Sequence, residues 1–209
     1  MVDATGDRRR VRRTQAVGAQ LVVEAAVRVL VRDGLDGLSV RKVASEAGLS
    51  IGAVQHHYAT KNALLVASSE HVAEQFTARA DALARRALAE DGAFAAFVAF
   101  CELLANSSPA PEGTGDDTTA SIVWLWYAAK ATRPGPVADA FAAAWSRTEE
   151  HLAVVIADLY PALDPADEAA HLLAVLDGIA VARAAEPQRM PLARARMLVR
   201  RHVDCLSRR

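Results

Sequence analysis

The stretch from Leu38 to Leu65 constrains the fold more than any other part of this chain of 209 residues. Its spacing predicts a first short helix that ends at Gly48, a second over Ile51 to Tyr58 and a third that begins at Lys61. Glycine suits the end of a helix because it reaches the left-handed conformation without a Cβ clash. Three residues able to cap these helices stand at their starts: Ser39, Ser50 and Thr60. Helix, tight turn and helix form the helix-turn-helix arrangement.

The second of these helices has a surface suited to a DNA groove. Ile51, Val54 and Tyr58 are spaced to share one inward-facing side. The other side carries small residues, which allow close approach of the backbone, and hydrogen-bonding residues, which can contact base edges or phosphates. This side consists of Ser50, Gly52, Ala53, Gln55, His56 and His57. A surface turn between core helices would show the same pattern, so the residues alone leave both interpretations open.

This part of the chain resembles the DNA-binding domain of the TetR family of transcriptional regulators. The agreement covers roughly Leu21 to Leu65, in spacing as well as in residue type. It rests on the Ala25-Ala26 pair, Gly34, Ser39-Val40, the run Val43-Ala44-x-x-Ala47-Gly48-Leu49-Ser50 and the run Tyr58-x-x-Lys61-x-x-Leu64-Leu65. Gln55 departs from the pattern, because the family usually has tyrosine at this position. The departure concerns the operator sequence and leaves the expected fold unchanged.

The resemblance implies an all-α protein of about nine helices. Residues 14–65 would form the helix-turn-helix domain, and residues 66–209 a larger helical domain for ligand binding and dimerisation. Such a protein would bind a near-palindromic double-stranded DNA operator as a homodimer, most often as a repressor that a small molecule releases. We expect Gln55 and His56 to read bases and Lys61 to contact phosphate. The complete predicted set of DNA contacts is Ser39, Arg41, Ser50, Gly52, Ala53, Gln55, His56, His57, Thr60 and Lys61.

Composition and charge agree with this interpretation. Hydrophobic residues make up 52% of the chain, many of them alanine and leucine, which favour helix. Residues 1–65 hold 10 Lys and Arg against 6 Asp and Glu, whereas the remainder holds 14 against 19. A basic first part beside an acidic remainder is typical of a nucleic-acid-binding end joined to a part with another task. We expect residues 1–13 to form a disordered basic arm, which would either follow phosphates or remain a solvated tail.

Several classes of protein lack support in the sequence. We find no catalytic signature, and Cys101 and Cys205 lack the spacing of a metal site or a disulfide framework. No export signal is recognisable, and no apolar segment approaches the roughly 18 residues that a membrane span requires. We therefore predict a cytoplasmic protein that is not an enzyme, without metal, cofactor or membrane partner.

Helix breaks divide the rest of the chain. The predicted helices, with approximate bounds, are Thr14–Asp33, Lys61–Ala89, Ala93–Asn106, Ala120–Thr132, Val137–Leu159, Pro165–Ala185 and Leu192–Leu206. Ser107 to Thr119 is the clearest loop, and we expect it to be mobile. Pro165 follows Asp164, and this pair favours a helix start.

The resemblance implies a small-molecule pocket and a dimer surface in the acidic part. Pocket candidates are aromatic or polar residues in apolar helices, although core packing is the more ordinary explanation for any single one: Phe97, Cys101, Trp124, Tyr127, His151, His171 and Asp177. The dimer surface is predicted from the apolar stripes of the last two helices: Leu172, Leu176, Ile179, Val199 and Val203. Two alternatives remain, a helical small-molecule carrier and a regulator controlled by a protein partner.

Overall fold

The computed structural model describes residues 4–106 and 118–207, with side chains described from residue 17 onward. Within these ranges the chain forms nine helices and no strand, which confirms the all-α prediction. They are α1 (Ala4–Gly37), α2 (Val40–Ala47), α3 (Ile51–His57), α4 (Lys61–Glu90), α5 (Ala93–Leu104), α6 (Thr119–Ala131), α7 (Pro136–Leu159), α8 (Pro165–Ala185) and α9 (Leu192–Leu206). The predicted loop lies outside the described residues, except for its last two positions.

The chain divides into two compact units, Met1–Val72 and Ala73–Arg209. The division falls within α4, somewhat later than the predicted domain boundary at residue 65. Helix α1 begins at Ala4, so residues 4–13 have a helical backbone where we predicted a disordered arm. Arginine is a good helix former, and no proline interrupts this run. The regular helix is interrupted at Gly34 (φ 70°, ψ −176°), where the sequence predicted its end.

The core of the first unit forms where α1, α2 and α3 pack together with the start of α4. Its fully buried apolar side chains are Val22, Ala25, Ala26, Val29, Leu30, Val43, Val54, Leu64 and Leu65. Two large apolar residues of this unit are partly exposed: Leu21 is 44% exposed, and Ile51, which we expected to face inward, is 47% exposed. Each lies at the margin of its helix's apolar stripe, where helical spacing alone does not determine which neighbour covers a side chain.

Ion pairs connect the outer surfaces of α1 and α2. Glu46 accepts hydrogen bonds from Arg28 Nε at 2.9 Å and from Arg32 Nη1 at 2.8 Å. Lys42 Nζ lies 3.1 Å from Asp33 Oδ2. The bonds from Arg32 and Arg28 hold the pKa of the Glu46 carboxyl below its usual value. Because these groups are solvent-exposed, the pairs orient the two helices more than they stabilise the unit.

The core of the second unit is built from α5, α7, α8 and α9. This packing corrects the predicted dimer surface, because all five predicted residues are buried by their own chain: Leu172, Leu176, Ile179, Val199 and Val203. The stripes were correctly recognised as apolar faces. They are covered by helices of the same unit, so these side chains are not available to a second subunit.

Buried charges join the helices of the second unit. Arg183 of α8 is only 1% exposed. Its Nε donates to the backbone oxygen of Asn106 at 3.0 Å, and its Nη1 donates to that of Met190 at 3.3 Å. Glu102 of α5 is 4% exposed and accepts from Arg200 Nε of α9 at 2.7 Å. Buried charged groups are tolerated when hydrogen bonds compensate for lost water, and these bonds fix α5 and α9 against their neighbours.

The turn between α2 and α3 supplies a stability prediction. Gly48 has φ 66° and ψ 30°, a left-handed conformation that costs residues with a Cβ about 1–2 kcal/mol. We expect Gly48→Ala to lower the free energy of unfolding by about 1 kcal/mol, measured by urea denaturation at fixed protein concentration. Ser45→Ala, an exposed change in α2, serves as the control and should be nearly neutral. An unchanged denaturation midpoint for Gly48→Ala would contradict the assignment of strain to this turn.

Candidate nucleic-acid interface and aromatic cluster

Three predicted DNA contacts hold the short helices in place by capping them. Ser39 Oγ accepts from the backbone N–H of Lys42 at 3.2 Å. Ser50 Oγ accepts from Ala53 N at 3.1 Å, and Thr60 Oγ1 accepts from Ala63 N at 3.1 Å. A hydroxyl that accepts one hydrogen bond still has its own proton to donate. These side chains can therefore cap the helices and donate to a phosphate at the same time.

The surface of α3 carries the predicted base-reading residues. Gln55 and His56 are exposed, as is Gly52, whereas Val54 on the opposite side is fully buried. A Cβ added to Gly52 would meet only Ser50 Oγ, at 4.0 Å. The helix therefore presents two hydrogen-bonding side chains beside an open stretch of backbone, as an element that approaches base edges requires. Ala53, also predicted, is half-buried.

His57 occupies a different position from the one we predicted. Its side chain is half-buried, and a Cβ added to Gly18 of α1 would lie 3.0 Å from its Nε2. Its ring stands edge-on to that of His56, with centroids 5.2 Å apart. The imidazole thus lies against α1, so packing accounts for His57 better than a direct phosphate contact. His57 is the last residue of a seven-residue helix, so helical spacing did not predict that its side chain would point toward α1.

Two cations beside α3 are available for phosphates. Arg41 is exposed on α2, and Lys61 is the first residue of α4, directly after the Thr60 cap. Neither forms an ion pair with another residue in the described ranges, whereas Lys42 is paired with Asp33. A helix start adds free backbone N–H groups and a favourable dipole for an anion. This surface therefore combines hydrogen-bonding side chains with cations that lack an internal partner.

Comparison with known proteins agrees with this geometry. The family model described as "Bacterial regulatory proteins, tetR family" matches residues 22–68, and the model "BetI-type transcriptional repressor, C-terminal" matches residues 110–208. The HTH-type transcriptional regulator PksA of Bacillus subtilis (strain 168) is 27% identical over 196 residues, covering 88% of this chain and 87% of PksA. The chain belongs to the TetR family. It is thus a transcriptional regulator with a helix-turn-helix DNA-binding domain.

Solved structures share the architecture of this chain. A transcriptional regulator from Rhodococcus sp. Rha1 superimposes with a TM-score of 0.76 at 24% identity, covering 90% of this chain and 95% of that one. The multidrug binding protein EbrR, in complex with imidazole, is 30% identical with a TM-score of 0.59, covering 88% of this chain and 93% of EbrR. EbrR has also been solved with malachite green and with ethidium.

Aromatic side chains of α6 and α7 form a cluster in the second unit of this TetR-family chain. Trp124 and Phe141 both stack on Trp145, with ring centroids 5.5 Å and 5.4 Å away. Tyr127 meets Phe141 edge-on at 5.6 Å. The indole N–H of Trp124 is buried and has no acceptor in the described part of the chain. We call Trp124, Tyr127, Phe141 and Trp145 the aromatic cluster.

A carboxylate from α8 adjoins the aromatic cluster. Asp177 Oδ2 accepts a hydrogen bond from Trp145 Nε1 at 3.0 Å. Burial raises the pKa of Asp177, and the bond from Trp145 opposes this only in part. No Lys, Arg or His side chain of the described residues forms an ion pair with Asp177. The site therefore places a half-buried negative charge beside aromatic faces without a compensating cation.

The structure gathers some of the predicted ligand residues and separates others. Trp124, Tyr127 and Asp177 come together at the aromatic cluster. Phe97 and Cys101 are buried in the core, and burial raises the pKa of the Cys101 thiol. The exposed rings of His151 and His171 stand edge-on to Phe100 and His202, at 5.3 Å and 5.2 Å.

The prediction missed two members of the aromatic cluster, Phe141 and Trp145. Their spacing of four residues on a single helix was the available signal, since it places both rings on one face.

Over residues 4–106 and 118–207, no helix is long and apolar enough for a membrane span. In the same ranges no group of three His, Cys, Asp or Glu side chains could hold a metal ion.

Replacing Lys61 tests the phosphate contact. We expect Lys61→Ala to weaken binding to all DNA sequences alike and to reduce the slope of log K against log salt by about 0.9 per bound subunit, the value for one lost phosphate contact. Binding titrations at several salt concentrations would measure this. Lys130→Ala, in the second unit, removes the same charge and should leave the slope unchanged. An unaltered slope for Lys61→Ala would exclude the contact.

Replacing Gln55 tests base reading. Gln55→Ala should change the relative affinities for operator variants, since a lost bidentate contact is worth about 1–3 kcal/mol of discrimination at one base pair. Competition binding across single-base variants would measure the change. Gln188→Ala, at an exposed turn before α9, should preserve the wild-type ranking. An identical ranking for Gln55→Ala would exclude a base-reading role.

Proposed function

We propose that this chain is a homodimeric repressor that binds a near-palindromic DNA operator and leaves it when a small molecule binds the second unit. The observation that carries the proposal is the surface formed by α2, α3 and the start of α4. There Gln55 and His56 are exposed beside Arg41 and Lys61, two cations without an ion-pair partner among the described residues. Family membership supports DNA binding directly, while repression, dimerisation and ligand release belong to the proposal.

The dimer would form through the outer faces of α8 and α9 instead of the stripes we first predicted. The exposed face of α8 carries three small residues, Ala170, Ala174 and Gly178, beside the exposed His171. A Cβ added to Gly178 would meet nothing within 4 Å, so another helix can approach closely there. On α9, Met197 is 51% exposed. Two such helices from each subunit would make a four-helix bundle, and its two-fold axis would require a near-palindromic operator.

We further propose that the ligand is an organic cation bound at the aromatic cluster. Malachite green and ethidium, named in two EbrR structures, are both aromatic cations. Here Asp177 supplies a negative charge that lacks a cationic partner within the described ranges, and Trp124 and Trp145 supply faces that attract cations. Because the rings stack on one another, an aromatic cation would enter by exchanging ring–ring contacts for ring–ligand contacts. The ligand-bound state would differ in packing, and linkage would lower DNA affinity.

The DNA-binding part of the proposal is tested by selecting bound fragments from a random-sequence DNA library at physiological salt. A recovered near-palindrome would support a dimeric, sequence-specific regulator, and the malachite green cation would then be added to the complex. Release of DNA would support ligand control. Retention of DNA would favour the alternative of control by a protein partner. No enrichment, from protein that is folded and dimeric, would favour the carrier alternative.

Replacing Asp177 with Asn should weaken the binding of a cationic dye and raise the stability of the protein. Asp177→Asn should weaken binding of malachite green at least tenfold, measured by dye titration in the absence of DNA. The uncharged leuco form of the dye should not distinguish the variant from the wild type. Asp158→Asn, an exposed change on α7, is the control and should leave dye binding unchanged. Equal dye affinity in Asp177→Asn and the wild type would refute the cation site.

The same variant should be more stable than the wild type at neutral pH. Because the folded pKa of Asp177 lies above the unfolded value, the folded state retains the proton longer, and stability falls as pH rises through this interval. Asparagine removes that penalty. The stability difference between the two proteins should therefore shrink as pH falls below the folded pKa of Asp177, and urea denaturation at several pH values would measure it.

A further inference from the structure

One apolar side chain on α3 is not accounted for by packing. Ile51 is 47% exposed, although Val54 of the same short helix is fully buried. A single exposed apolar residue is ordinary on a protein surface, so its position is what matters. Ile51 precedes Gln55 by four residues, and side chains with this spacing lie next to each other on a helix.

The surroundings of Ile51 leave its methyl groups accessible. Its neighbour Gly52 has no side chain, and a Cβ there would approach only Ser50 Oγ. Gln55 and His56 are exposed on the same side of α3. The surface next to Gln55 on the exposed side of α3 is therefore the apolar side chain of Ile51.

The chemistry of the major groove restricts which base can accept such a contact. Thymine presents a C5-methyl group there, whereas the other base edges are mainly hydrogen-bond donors and acceptors. Covering a polar edge with isoleucine would remove water without replacing its hydrogen bonds. Covering the thymine methyl removes two apolar surfaces from water together.

We propose that Ile51 is a specificity-determining residue that reads a thymine in each operator half-site through the C5-methyl group. The thymine lies next to the base pair contacted by Gln55. The inference rests on the proposed binding of α3 to a near-palindromic operator. It assigns a base preference to an apolar residue, in addition to the hydrogen-bonding residues beside it.

The test removes the methyl group from the DNA. In the selected operator, each thymine of the half-site is replaced in turn by deoxyuridine, symmetrically in both halves, and binding of the full chain is measured. At one thymine position the wild type should lose about fourfold in affinity per half-site, the value for one buried methyl group. Ile51→Ala should bind the normal operator more weakly and show no further loss with deoxyuridine, because the two changes remove the same contact.

Controls separate the possible failures. Leu88→Ala truncates another exposed apolar residue, 59% exposed on α4, and should keep the wild-type sensitivity to deoxyuridine. A recovered palindrome with no sensitive thymine, or equal sensitivity in Ile51→Ala and the wild type, would overturn the role of Ile51 and leave the proposed function intact. Failure to recover any preferred sequence would overturn both.

Discussion

The position of α3 depends on the burial of one side chain, Val54. It is the only buried residue of this seven-residue helix, and a helix of that length has no stability in isolation. Val54 fixes the helix against α1 and α2, while the Ser50 cap and the left-handed Gly48 determine where the helix starts. Gln55, His56 and Ile51 face outward because Val54 faces inward. The surface offered to DNA is therefore a consequence of packing in the first unit.

The first unit was the more predictable of the two. Its turns carry local signals, since Gly48 and the capping hydroxyls act through the backbone of adjacent residues. The sequence was less informative about side chains at the margins of helices. Ile51 was expected to be buried and is half-exposed, whereas His57 was expected on DNA and lies against α1. Helical spacing predicts which face of a helix a side chain lies on. These two residues lie at the boundary between the buried and the exposed face of α3, where that prediction is least certain to hold.

In the second unit the sequence predicted the helices well and their surroundings poorly. The stripes that include Leu176 on α8 and Val199 on α9 were recognised as apolar, but whether one subunit or two would bury them is a property of tertiary packing. The aromatic cluster was half predicted, because Trp124 and Tyr127 stood out in an apolar helix. Phe141 and Trp145 were missed, since their importance arises from rings on another helix. Asp177 was identified because burying a carboxylate without a partner is costly wherever it occurs.

Arg183 shows how such a unit can tolerate change in its sequence. Its guanidinium is almost fully buried and donates to the main-chain oxygens of Asn106 and Met190. Every residue type supplies a main-chain oxygen, so these two bonds do not depend on which side chains occupy positions 106 and 190. The joint between the end of α5, α8 and the approach to α9 therefore needs no particular acceptor side chain. The residues that fit are restricted for other reasons, since Asn106 has a left-handed φ of 49° and Met190 is buried in the core.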